Sequence, residues 1–168
     1  TFSPELIKSE YGYVVTAAGL MLWFNTALAL SDFGSAWLSQ FVRSRQKVLL
    51  AFIFTGFLAC MALLLSPVQL SMPVIIFLYV VISCGCGCWV LGVTSAAESF
   101  GTNLRATITT TVPNFSRGST IPITLAVAAL KDHMALGDAA VIVGIVVYAL
   151  ALFGALYIRE TFAAELDF

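Results

Sequence analysis

Apolar residues run through this chain in long blocks broken by short polar stretches. From 48 to 97 no Asp, Glu, Lys or Arg interrupts the sequence. A helix needs roughly 20 apolar residues to cross a hydrocarbon core about 30 Å thick, so this block alone has room for two crossings. The same ruler divides the chain into five spans, within 11–40, at 48–65, at 73–97, within 106–130 and at 139–158. The separators are "RSRQK" (43–47), "SPVQLSMP" (66–73), "ESFGTNLR" (98–105) and "KDHMALGD" (131–138), with Pro and Gly in several of them as punctuation. Lipid offers the backbone no hydrogen-bond partners, so segments of this length are expected to be helices; barrel strands would be nearer ten residues and would alternate polar with apolar. The predicted class is all-α: a polytopic helical membrane protein with about five transmembrane helices in a single domain over 1–168.

Composition agrees. The chain is 60% hydrophobic and 10% charged, with mean hydropathy +0.99, against about 25% charged residues in ordinary soluble domains. Net charge is −1 and no basic run exceeds three residues, so nucleic acid is not an expected partner. The lipid bilayer is. In the short loops, Arg43, Arg45, Lys47, Arg105 and Arg159 fall on one side and Lys8 and Lys131 on the other. The excess of cations places the first group in the cytosol, with a cytosolic C-terminus and an outside N-terminal stretch "TFSPELIKSEYG". That stretch has no basic region followed by a cleavage site, so it is not a signal peptide. The chain begins with Thr rather than Met, and a fragment or a gene model that has lost upstream helices is expected.

"SCGCGCWVLG" (83–92) carries three of the four cysteines, Cys84, Cys86 and Cys88. On one continuous helix Cys84 and Cys88 share a face and Cys86 points about 200° away, so the thiols do not converge on one ion. No His lies nearby, and a structural zinc takes four ligands. No metal site and no cofactor are expected. Cys84, Gly85, Gly87 and Gly92 instead form a run of small residues that lets a neighbouring helix approach closely, as packing in lipid favours.

Arg117 is the charge that most needs explaining. It lies about 16 Å along a helix counted from Ala106, near the membrane midplane, where an Arg costs about 2.5 kcal/mol or more. Two placements are open: a polar cavity, or a span that begins near Thr110 and leaves Arg117 to snorkel toward the cytosolic headgroups. Thr110, Asn114 and Arg117 lie three to four residues apart and form one polar stripe, and Pro113 and Pro122 would let the helix bend. Asp32 also has two readings. If the first span ends near residue 31 it lies at the membrane boundary; if the helix continues to Gln40 it lies about 12 Å inside, where it pairs with Arg117 or carries a proton. Asn25 and Thr26 precede it on a sparse polar face.

The order of these features resembles the C-terminal half of a major facilitator superfamily transporter, from its eighth helix to its twelfth. "ESFGTNLRA" resembles that family's junction between helices ten and eleven, here with Glu98, Phe100, Gly101, Thr102 and Arg105, although Gly101 stands where Pro is commoner. Asn114 and Arg117-Gly118 are similar to polar positions of many eleventh helices, and "RETF" (159–162) to the ending after the twelfth. "AWLSQFVRSRQK" (36–47) resembles the basic loop between helices eight and nine, with Gln40 where Asp is preferred and Arg43 where Gly is. The likeness covers nearly the whole chain, without the seventh helix and the N-terminal half.

What the resemblance implies is secondary transport: a permease moving a small solute, with a coupling proton as a further option, across the plasma (inner) membrane by alternating access. The absent N-terminal half would be the partner that completes the site. Glu98 and Arg105 would form cytosolic ion pairs with Arg43 or Arg45, and Arg117, Asn114, Asp32 and Asn25 would face the cavity. The cations at 43, 45 and 47 have a second reading in which they only enforce topology and meet anionic lipid. The alternative function is a non-transporting membrane module, an accessory subunit or an inactive truncated copy. Enzymatic activity is not expected: the single His133 lies in an outside loop, and neither G-x-S-x-G nor H-E-x-x-H occurs.

Overall fold

A computed structural model describes residues 3–13, 15–66, 70–100, 102–158 and 160. Arg159, Gly101 and the tail from 161 onward, which enter the expectations above, lie outside the described residues. Seven helices follow one another: α1 (Ser3–Tyr11), α2 (Ala17–Val42), α3 (Arg45–Leu64), α4 (Met72–Cys86), α5 (Trp89–Glu98), α6 (Thr102–Lys131) and α7 (Leu136–Tyr157). No strand occurs among the described residues, and the protein is all-α. Three helical stretches are long and apolar enough to cross a membrane: Arg45–Leu64, Met72–Glu98 and Leu136–Tyr157. In the last, only 11% of the apolar stretch is buried inside the protein. An apolar surface that open suits lipid rather than water.

Local chemistry sets the helix ends. Thr16 caps α2, its hydroxyl accepting from the Gly19 N–H at 3.4 Å, and Ser44 caps α3 by accepting from the Lys47 N–H at 3.2 Å. Pro73 sits in the first turn of α4, where no helical N–H is needed. Between α2 and α3 only Arg43 and Ser44 intervene, so "RSRQK" is a two-residue turn followed by the first turn of α3. Arg43 turns the chain with φ at 51°.

The helices depart from the bounds of the apolar blocks at four places. The segment within 11–40 opens on the last residue of a separate helix, since α1 ends at Tyr11 and α2 runs from Ala17 to Val42. Leu6, Ile7 and Tyr11 of α1 are buried, which holds this helix against the bundle. The span at 73–97 is two helices broken at Gly87 and Cys88. The helix expected from 106 starts at Thr102, so Asn103, Leu104 and Arg105 belong to its first turns and not to a loop. The remaining shift is small: α7 begins three residues before 139 because Leu136 and Ala139 both pack inward.

α4 lies between α2 and α3, α7 packs on α3, and α6 runs between α5 and α7. α1 closes one end. Its Ile7 and Tyr11 join Leu20, Leu63 and Ile75 in one cluster, and its Leu6 joins Val127 and Leu136 in another. The Tyr11 hydroxyl donates to the Leu63 carbonyl, and Glu5 pairs with Lys131 at the end of α6. An apolar cavity of about 550 Å³ lies beneath it, lined by Leu6, Ile7, Phe24, Cys60, Tyr79 and Cys86 among others, with no charged side chain in its wall among the described residues.

Candidate functional site

The centre of the bundle is a broken helix. After Cys86 the α4 spiral stops: Gly87 donates its N–H to the Ser83 and Cys84 carbonyls, and regular α-helix resumes at Trp89. Such a break leaves carbonyls at one end and N–H groups at the other without their usual helical partners. α2 supplies replacements. Ser31 donates its hydroxyl to the Cys84 carbonyl at 2.8 Å, and Ser35 to the Gly87 carbonyl at 2.6 Å. The Cys88 thiol, buried, donates to the Gly85 carbonyl at 3.4 Å. On the other side, the N–H of Val90 in the first turn of α5 faces the Asp32 carboxylate. Ser83 completes the seam by donating back to the Phe24 carbonyl of α2.

Small residues make this contact possible. A Cβ at Gly85 would stand 2.4 Å from the Gly56 Cα of α3, and one at Gly87 would stand 2.3 Å from the Ser31 Cβ of α2. Gly92 has open space around it and takes no part in this packing. The expectation that Cys84 and Cys88 share one helical face does not hold, because the helix does not continue through Gly87. Cys84 is half-buried, Cys86 exposed and Cys88 buried. Among the described residues no three His, Cys, Asp or Glu side chains gather at one place.

A second polar cluster ties one end of the bundle together. Glu160 accepts from the Arg45 N–H at 2.9 Å, from the Gln46 N–H at 3.4 Å and from the Ser44 hydroxyl. With Ser44 on Lys47, three otherwise unpaired N–H groups at the start of α3 are satisfied. Gln46 returns the exchange by donating to the Ala155 and Leu156 carbonyls in the last turn of α7, at 3.2 and 2.9 Å. Arg45 forms an ion pair with Glu98 at the end of α5, both side chains 17% exposed. Three helices, α3, α5 and α7, are thereby fastened at one level.

The third feature is on α6. Asn103, Thr107, Thr110, Asn114 and Arg117 recur at i, i+4, i+7, i+11 and i+14, and all five are exposed. They form one face of the helix about 21 Å long at 1.5 Å per residue. The opposite face, with Arg105, Ile108, Val112, Ser116 and Ser119, is half-buried against the neighbouring helices.

The residues singled out in the sequence therefore divide among three places. Arg117 and Asn114 share the α6 stripe. Asp32 sits at the helix break, half-buried, and Asn25 is exposed on α2 with its amide donated back to the Met21 carbonyl at 2.8 Å. Of the four residues read as ion-pair formers, Arg45 and Glu98 meet. Arg43 is exposed in the turn, and Arg105 points into the protein, where its Nε and Nη2 are buried without a hydrogen-bond partner. Ser31, Ser35 and Ser39 are not among the expected site residues, although their i, i+4, i+8 spacing in "SDFGSAWLS" is the sequence trace of α2's packed face. Gln46 and Ser44 are not among them either, since nothing local signals that Gln46 meets the last turn of α7 and Ser44 meets Glu160 beyond it.

No model of a known protein family, no curated protein and no solved structure matches the chain. The family resemblance rests on the quoted residues alone.

Proposed function

We propose that this chain is one wall of a secondary transporter, part of the C-terminal half of a major facilitator-type permease that moves a small solute by alternating access. In this reading α2, α3, the broken α4–α5 pair, α6 and α7 are five crossings of the plasma (inner) membrane. The end that carries Arg43, Arg45 and Lys47 is cytosolic, as is the C-terminus.

The observation that carries the reading is the α6 stripe. Asn103, Thr107, Thr110, Asn114 and Arg117 face outward along one side of a 30-residue helix whose neighbours α5 and α7 are apolar. A polar face of that length against acyl chains is unfavourable, above all at an Arg. It is stable where it lines water or meets a second polar bundle, and in transporters that surface is the path between two pseudo-symmetric halves. Arg117 and Asn114 then contact solute, and the Arg45–Glu98 pair holds the cytosolic ends of α3 and α5 together while that side is shut.

Uptake by the protein reconstituted in vesicles, with an imposed pH gradient and a panel of small anions, tests this against Arg117→Ala. Loss of uptake by a variant that still inserts supports the reading. Equal uptake by both returns Arg117 to the membrane boundary, and no uptake by either leaves the non-transporting module as the better account.

A further inference from the structure

Asp32 is a carboxylate placed where a carboxylate is costly. It lies in the middle of α2, between two serines that hold the carbonyls of the broken helix. Its Oδ1 is sealed from solvent and takes no hydrogen bond. Among the described residues no cation lies within ion-pair distance of it, since the ion pairs there join Arg45 to Glu98 and Lys131 to Glu5. The group that faces it is a backbone one, the N–H of Val90. That N–H belongs to the first turn of α5, whose N-terminus carries a partial positive charge.

The helices packed on α2 are α1, α3, α4 and α5. Of their ionisable groups, and those of the break itself, the thiols of Cys86 and Cys88 are within electrostatic reach of Asp32. Cys60, Cys84, Tyr79 and Tyr11 supply no positive charge. Lys8 and Lys47 are exposed. Nothing in this set holds Asp32 permanently ionised in the way an Arg partner would.

We propose that Asp32 is a proton-binding site that works the joint between α4 and α5. In the ionised state the carboxylate attracts the N-terminus of α5 and fixes the half-helix against α2. On binding one proton, it becomes a carboxylic acid that loses this attraction and gains an O–H donor. The acceptors on this side of the break are the Cys84 and Gly87 carbonyls where α4 ends, which the flanking Ser31 and Ser35 reach. The proton therefore moves the preferred partner of Asp32 from the start of α5 to the end of α4. α5 is a rigid rod of ten residues, about 15 Å long, and Glu98 at its far end holds Arg45. A shift of α5 at Asp32 reaches that ion pair directly, which links proton binding at the break to the state of the end that α3, α5 and α7 share. The coupling role rests on the transport reading; the proton site itself does not.

The test is infrared difference spectroscopy of the purified protein in lipid vesicles across a pH titration, with wild type, Asp32→Asn and Asp32→Glu compared, and with helical content checked by circular dichroism. The expected result is a protonated-carboxyl stretch that titrates in wild type, is lost in Asp32→Asn and returns at a changed frequency in Asp32→Glu. Identical difference spectra for wild type and Asp32→Asn at equal helical content would overturn the proposal. If Asp32→Asn does not fold, the presence of the shifted band in Asp32→Glu supports the site and an unshifted band overturns it. The band depends on no substrate, so a titrating Asp32 in a protein that takes up nothing would keep the site and sink the transport reading. Where uptake is measurable, Asp32→Asn should lose uptake driven by a pH gradient.

Discussion

Gly56 of α3 and Gly85 of α4 meet backbone to backbone: a methyl group at Gly85 would stand 2.4 Å from the Gly56 Cα and 2.7 Å from its nitrogen. Neither atom can swing aside as a side-chain tip would. Gly85→Ala must therefore push α3 and α4 apart, and a loss of about 1–3 kcal/mol is expected in unfolding measurements in detergent. Gly92→Ala serves as the comparison. Its site is open, and the gain in helix propensity is expected to leave it neutral or stabilised by up to about 1 kcal/mol.

Ser35→Ala removes the donor to the Gly87 carbonyl at a fully buried position. Hydrogen bonds between membrane helices average about 0.6 kcal/mol and reach about 1.7. The upper part of that range is expected here, because the carbonyl has lost its helical partner and no water reaches it. Ser39→Ala, on the same face, should cost less: its hydroxyl returns to the Ala36 carbonyl of its own helix.

Arg43 holds φ at 51°, in the left-handed region, a conformation that costs an ordinary residue about 1–2 kcal/mol. Arg43→Gly should accordingly stabilise the turn between α2 and α3 by up to about 1 kcal/mol, since part of the relief is offset by the greater freedom of Gly in the unfolded chain. Thermal unfolding in detergent would show it as a raised midpoint; a lowered midpoint would mean that the Arg43 side chain holds a contact worth more than the strain.

What could be read from the residues followed the physics of each signal. The apolar blocks at 48–65, 73–97 and 139–158 identify stretches long and apolar enough to cross a membrane, because length against bilayer thickness needs no tertiary information. The break at Gly87 was not legible. In lipid a run of Gly and Cys is compatible with a continuous helix, and what stabilises the break is a set of hydroxyls about 50 residues away on α2. The start of α6 is not legible in the sequence because Arg105 reads as a loop cation, whereas it packs inward near the start of the helix. The polar stripe is visible in part: Thr110, Asn114 and Arg117 stand out by spacing and Thr107 lies within the expected span at 106–130, but Asn103 joins them only because the helix begins at Thr102.

The Arg45–Glu98 ion pair predicts a reciprocal result. Arg45→Glu or Glu98→Arg alone leaves two like charges in a place where each side chain is mostly covered, and each should destabilise by about 2–5 kcal/mol. The exchanged pair Arg45→Glu with Glu98→Arg should recover a large part of that loss. Recovery measured as a coupling free energy in a double-mutant cycle checks the contact; additive losses would mean that the two side chains do not interact.

The account stands or falls on whether the α6 stripe meets water. In a background with Cys60, Cys84, Cys86 and Cys88 replaced, single cysteines at Asn114 and at Phe115 can be reacted with a membrane-impermeant thiol reagent in sealed vesicles. Both positions are exposed, Phe115 at 80%, but they lie about 100° apart around the helix. The account predicts rapid labelling at Asn114 and protection at Phe115 by lipid. Protection at both positions would contradict it, since a stripe buried in acyl chains cannot line the path of a solute.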